Sequence, residues 1–171
     1  MRSNEVAWPT RRAAKWSEPT DREAEVAARV GELHDIDFPA MAMVSNVYRV
    51  ANAVRARVER EVLGADALSW TGFTALFVLW VWGPQETRHL AEECGVTKGT
   101  LTGVVDRLEA RGLVCRVPSS TDGRSTVVRL SKAGDAEFKR VFPAHVAYLK
   151  RVFGKLKAGE LAELGARLER L

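Results

Sequence analysis

A chain of 171 residues, 46% of them apolar, has room for a real core but for no more than one domain with an extension. No apolar run reaches bilayer length (the best, ALFVLWVW, is eight residues) and no apolar N-terminal stretch signals export, so a cytoplasmic protein with no membrane partner is expected. Two cysteines are too few for a disulfide framework, and a net charge of +4 allows nucleic acid as a partner without demanding it.

Residues 1–19 set Trp8, Pro9, Trp16 and Pro19 among Arg and Ser, an irregular arm whose tryptophans should pack against the body or a second subunit. Thr20, Asp21, Arg22 and Glu23 form a capping box, opening a helix with Val26, Val30 and Leu33 on one face. An acidic break from His34 to Asp37 follows, so 1–36 reads as an arm and an extra helix. From Asp37 a long helix is predicted to about Val62, with Pro39 in its first turn and Gly64 stopping it. Met41, Val44, Tyr48, Ala51, Val54 and Val58 make its apolar stripe. The next helix, Ser69 to Trp82, is apolar around most of its circumference through Trp70, Phe73, Leu76, Phe77 and Trp80, which requires burial on several sides. Gly83 and Pro84 break it.

The stretch from Thr87 to Ser131 organises the rest. Leu90 and Ala91 give a short helix a buried edge, and Gly95 falls at its C-terminal cap. Thr97 then offers an oxygen to the free N–H groups of a second helix, in which Leu101, Val104, Val105 and Leu108 mark the buried face. The opposite face carries Gly99, Thr102, Gly103 and Asp106, flanked by Lys98, Thr100 and Arg107. Its centre is almost bare of side chains. Arg111 and Gly112 end the helix, and two β-branched strands, Leu113 to Pro118 and Thr126 to Leu130, flank a turn containing Asp122 and Gly123. Ser131 caps a long helix from Lys132 to about Leu156, kinked at Pro143. Gly159 and Glu160 begin a last helix with Leu161, Leu164, Leu168 and Leu171 on one face. A monomer gains little from such an apolar stripe; a dimer built from both chain ends would use it.

The fold class is therefore mainly α with a small β-hairpin wing, a winged helix-turn-helix over 65–131 with dimerisation helices at 37–64 and 132–171. Residues 86–132 hold eight basic and six acidic side chains, and 133–171 hold eight and five, a small positive excess where a phosphate backbone would lie. Gly99 and Gly103 let the helix backbone approach base edges, and Thr97, Thr100 and Thr102 are suited to phosphates, bases and thymine methyls. Lys98 is the long reader or phosphate contact, with Arg107 a phosphate contact further along. Ser120, Asp122 and Arg124 complete the candidate DNA-contact set in the hairpin loop.

LAEECGV, VVDRLEARGLV and above all STDGRSTVVRLSKAG resemble the DNA-binding core of the MarR (multiple-antibiotic-resistance regulator) family, and a weaker resemblance runs from about Phe38 to the C-terminus. The resemblance implies a homodimer held by its N- and C-terminal helices, with Arg124 entering the minor groove and Asp122 holding its guanidinium. Two heads about one turn (~34 Å) apart would ask for double-stranded DNA with an inverted-repeat operator. Many members carry an arginine where Gly103 stands, so weight shifts here onto the wing and DNA shape.

Members of the family often release DNA when a small aromatic acid or phenolic compound enters a cleft. Tyr48, Asn52, Arg55 and Trp70 are the matching candidates for such an effector site, with Arg55 as partner for a carboxylate. The extra N-terminal helix and the Pro143–His145 turn are similar to the urate-responsive subgroup, but Thr71 and Val104 or Gly103 stand where that subgroup has an acid and an arginine, so urate is not supported. Other relatives sense oxidants through a cysteine; Cys94 and Cys115 read instead as half-buried inert thiols. His34, His89 and His145 show no metal spacing, and neither a cofactor nor an enzyme's catalytic constellation is expected. The reading is a homodimeric, sequence-specific DNA-binding repressor. A thiol-based redox regulator of the same fold and a winged-helix module for protein contacts alone are the alternatives.

Overall fold

The computed structural model describes residues 21–31, 37–64, 68–118 and 126–170, which fall in two compact units, Met1–Ala53 and Val54–Leu171. In the first unit α1 spans Asp21–Gly31, with Ala27 buried, Val30 half-buried and Val26 exposed. The buried edge thus lies one residue from the predicted one; Leu33 and the break at 34–36 lie outside the described residues, as does Thr20 of the capping box. Helix α2 spans Phe38–Val58 and crosses into the second unit. Asp37 starts it, its carboxylate accepting the Ala40 N–H at 3.0 Å. The predicted stripe is mostly uncovered: Val44, Tyr48 and Ala51 are exposed, Met41 and Val54 half-buried, and only Val58 is fully buried.

The predicted continuation of that helix to Val62 has a different form. Glu59–Leu63 make one π-helical turn. Val58 and Leu63 are both fully buried, and an α-helix would point residues five apart about 140° away from each other. The wider turn brings both toward one core. Glu59 then accepts the Trp70 N–H at 2.7 Å and Ser69 accepts the Gly72 N–H at 3.1 Å, which satisfies two of the free donors at the start of α3 (Trp70–Trp82). Phe73, Ala75, Leu76, Val78 and Leu79 of α3 are buried as its composition demands, but its last turn surfaces, with Trp80, Val81 and Trp82 exposed.

Gly83, at φ +75°, turns the chain out of α3 into a two-residue strand, β1 (Gln85–Glu86). It pairs antiparallel with β3 (Thr126–Leu130), Gln85 opposite Val128, and β3 pairs on its other side with β2 (Val114–Pro118), Arg116 opposite Val128. The wing is thus a three-stranded sheet in the order β1-β3-β2 rather than the hairpin alone expected from sequence. Two residues carry no alternation to read. Helices α4 (Thr87–Glu93) and α5 (Lys98–Ala110) end alike: the Gly95 N–H reaches the Glu92 carbonyl and Val96 that of Ala91, while Gly112 reaches Glu109 and Leu113 reaches Leu108. Both are Schellman ends with the glycine at positive φ.

Helix α6 (Lys132–Phe153) passes through Pro143 without interruption, and α7 (Ala158–Leu168) follows. Phe138, Val141 and Tyr148 of α6 share one buried cluster with α3, α4, α5 and β3, so the predicted segments 65–131 and 132–171 have a common core. In contrast α7 has no buried residue, and Leu161, Leu164 and Leu168 lie exposed along it; Leu171 lies outside the described residues. At the start of α6, Gly134 sits so close to the preceding chain that an added Cβ would lie 2.0 Å from the Leu113 carbonyl oxygen. Gly134→Ala is expected to destabilise by about 3 kcal/mol or more in urea unfolding, because the backbones must separate; a wild-type midpoint would contradict this packing.

His145 is buried among Phe73, Trp70 and Phe142, its ring 4.8 Å from that of Phe73, and its Nδ1 has no partner among the described residues. Burial holds its pKa below the ordinary value, so the folded state keeps it neutral where the unfolded chain would charge it. Its contribution to stability is complete above about pH 6.5 and is lost as pH falls toward the lowered folded value. Thermal unfolding followed from neutral to mildly acid pH should therefore flatten in His145→Phe, and an unchanged pH profile would show that another group sets it.

Candidate nucleic-acid interface

The Schellman end of α4 starts the four-residue turn to α5, and Thr97 opens α5 as its sequence position demands. Thr97 Oγ1 accepts the Thr100 N–H at 3.2 Å and lies 3.0 Å from Thr100 Oγ1. Leu101, Val104, Val105 and Leu108 are all buried, which turns Lys98, Gly99, Thr100, Thr102, Asp106 and Arg107 outward. Thr102 Oγ1 donates to the Lys98 carbonyl at 2.9 Å, so its free lone pair and its methyl are what it offers a partner.

Gly99 opens onto empty space, with Thr97 Oγ1 4.0 Å from where its Cβ would stand. Gly103 does not. A Cβ there would lie 3.8 Å from Arg107 Nη1, so the guanidinium folds back one turn over the bare position. Arg107, predicted as a flanking contact, thus covers the centre of the exposed face; the spacing of four was the available signal. Neither Lys98 nor Arg107 has a carboxylate partner among the described residues.

The carboxylates of this face are engaged by a residue the sequence reading did not single out. Arg116 Nη2 donates to Asp106 Oδ1 at 2.6 Å, Nη1 donates to Glu109 Oε2, and the Arg116 backbone N–H donates to Glu109 Oε1 at 2.9 Å. Burial works to lower the Arg116 pKa, but the two carboxylates outweigh it and hold it above its ordinary value. Arg111 at the end of α5 lies 3.6 Å from Glu137 of α6. Ser120, Asp122 and Arg124 lie outside the described residues; the stems that carry their loop, β2 and β3, are in register from Val114–Leu130 to Pro118–Thr126.

The candidate effector residues have local partners of their own. Arg55 lies 3.9 Å from Glu59, and the Trp70 ring packs on Phe73 and His145. Tyr48 and Asn52 are exposed on the first unit's part of α2. Among the described residues no cluster of His, Cys, Asp and Glu could hold a metal, and no helix is long and apolar enough to cross a membrane. Cys115 is half-buried, its sulfur 3.7 Å from Arg129 Nη2. Burial, reinforced by Glu93, pushes the Cys94 thiol up to about 11.

A helix-turn-helix backed by a small antiparallel sheet and followed by a long helix defines a winged-helix protein. A model described as the MarR family matches residues 68–126. The HTH-type transcriptional regulator YwaE of Bacillus subtilis (strain 168) is 32% identical over 111 residues, 65% of this chain; the chain spans 65% of that relative, just under two thirds of its length. The HTH-type transcriptional repressor NicR of Pseudomonas putida is 33% identical over 88 residues, covering 52% of this chain and 56% of its own. The crystal structure of a probable transcriptional regulator from Pseudomonas aeruginosa superposes with a TM-score of 0.66 at 30% identity, covering 74% of this chain and 95% of that one. The chain belongs to the MarR family.

With a pKa of about 11, Cys94 is a protonated thiol near neutral pH and a poor nucleophile. In a Cys115→Ser background its alkylation by iodoacetamide at neutral pH should run about two orders of magnitude slower than that of a free thiol. A rate near the free value would reopen thiol chemistry at this position.

Proposed function

We propose that this chain is a homodimeric transcriptional repressor that binds double-stranded DNA by sequence, α5 lying in the major groove and the wing loop reaching the minor groove. One observation carries the reading: the outward face of α5 offers the open backbone of Gly99, threonines and two cations without carboxylate partners among the described residues, while the acids of the same helix are neutralised from the wing. A helix built this way can approach base edges closely and meets phosphates with net positive charge.

The second copy is supported by α7, which presents Leu161, Leu164 and Leu168 to solvent. Three leucines aligned along a helix that buries none of its residues are suited to the face of an interface. Paired subunits put two α5 helices on one duplex and call for an inverted repeat with half-sites about one helical turn apart. NicR, a relative named as a repressor, favours repression as the sign of regulation. Release by a small aromatic or phenolic compound is part of the same proposal and rests on the family resemblance.

The test is equilibrium binding of the full chain to duplexes selected from a random pool, with its mass in solution measured alongside. A dimer bound to an inverted repeat is expected; a monomer, or no duplex bound even at low salt, overturns the proposal. Lys98→Ala should weaken binding at every sequence and reduce the slope of log K against log salt by about one. An unchanged slope would remove Lys98 from the interface.

A further inference from the structure

We infer that Arg116 is a positioning residue for DNA binding, locking the first wing strand to α5 and masking two carboxylates that would otherwise face the phosphate backbone. The inference rests on the DNA-binding reading above and assigns a role within it to a residue that touches no DNA.

Asp106 and Glu109 are three apart on α5, hence on one side of the helix. Arg116 sits on β2, an outer strand of the sheet, opposite Val128. Its backbone N–H points off the open edge and finds Glu109 Oε1 at 2.9 Å, which satisfies a donor that would otherwise need water. The guanidinium closes the other side of the same clamp, Nη1 on Glu109 and Nη2 on Asp106. Only a planar fork with several fixed N–H vectors can serve two carboxylates and leave the strand's main chain in place.

Two consequences follow for a duplex on this face. The strand that leads into the wing loop is held at a fixed distance from α5, so helix and wing engage as one body. Asp106, next in sequence to Arg107, is also neutralised beside a phosphate-binding cation; unmasked, it and Glu109 would place two negative charges near the backbone. The clamp is partly exposed, the Asp106 side chain 58% and that of Arg116 29%, so solvent screens it and its effect should appear in binding more than in stability.

Three forms of the full chain test this against one mixed-sequence duplex at low salt: wild type, Arg116→Gln, and Arg116→Gln combined with Asp106→Asn and Glu109→Gln. Arg116→Gln should weaken binding about tenfold. The triple variant, with the acids neutralised but the clamp still absent, should recover the part of that loss that comes from unmasked charge and keep the part that comes from the lost lock, while its thermal midpoint stays near that of the single variant. Wild-type affinity in Arg116→Gln, or a triple variant that binds no better than the single one, overturns the inference while the proposed function stands. If wild type itself binds no duplex, the proposed function falls and this role with it. Should Arg116→Gln not fold, Arg116→Lys is read alone and with Asp106→Asn: the point charge serves one carboxylate, so a smaller loss that Asp106→Asn recovers is expected, and no loss or no recovery overturns the inference equally.

Discussion

The winged region depends on one junction, where the end of α5, the start of β2 and the start of α6 meet within a few ångströms. The Leu113 N–H closes α5 on the Leu108 carbonyl, and the Leu113 carbonyl accepts the Ser131 N–H at 3.0 Å. Ser131 Oγ donates to the Gly112 carbonyl at 2.6 Å and accepts the Gly134 N–H at 2.9 Å. Gly134 is the residue that lets α6 come this close. One hydroxyl thus ties the carbonyl just past the end of α5 to a free N–H group in the first turn of α6. The orientation of α5 is inherited from this junction before any partner arrives.

The outward side of α5 adds an electrostatic constraint to that mechanical one. A helix in a groove lined with phosphates cannot present free acids, yet Asp106 and Glu109 lie on the helix that would enter it. Pairing them to the wing through Arg116 leaves Lys98 and Arg107 as the cations of α5 without a carboxylate partner among the described residues. The modest overall charge of +4 hides this sorting. What matters to a polyanion is which charges are already paired, not their sum.

Local chain chemistry was legible in the sequence and long-range pairing was not. Gly95, Thr97, Gly112 and Ser131 announce helix ends through φ preference and side-chain oxygens, and all four stand where those preferences put them. The buried face of α5 follows from its spacing of three and four. By contrast β1 exists only because β3 lies beside it, and the Arg116 clamp joins residues seven and ten apart in sequence. The π turn at Glu59–Leu63 answers a packing demand from Val58 and Leu63 that no propensity encodes. The fold of Arg107 over Gly103 depends on an empty position, and absence of a side chain at one residue does not say which neighbour will lean into it.

That leaning matters for how a regulator of this design would discriminate sequences. A bidentate pairing between a long side chain and a base edge is worth about 1–3 kcal/mol of discrimination. Each α5 has only Lys98 and Arg107 long enough to make one, and Gly99 and Gly103 add approach without readout. A single head of this kind would therefore separate an operator from bulk DNA weakly. Doubling the heads through a symmetric pair doubles the discrimination energy, because well-separated contacts add. On the proposed function, the exposed leucines of α7 and the glycines of α5 would be two sides of one design: the less each helix reads, the more binding would rely on holding two of them at a set spacing and on the shape of the duplex between.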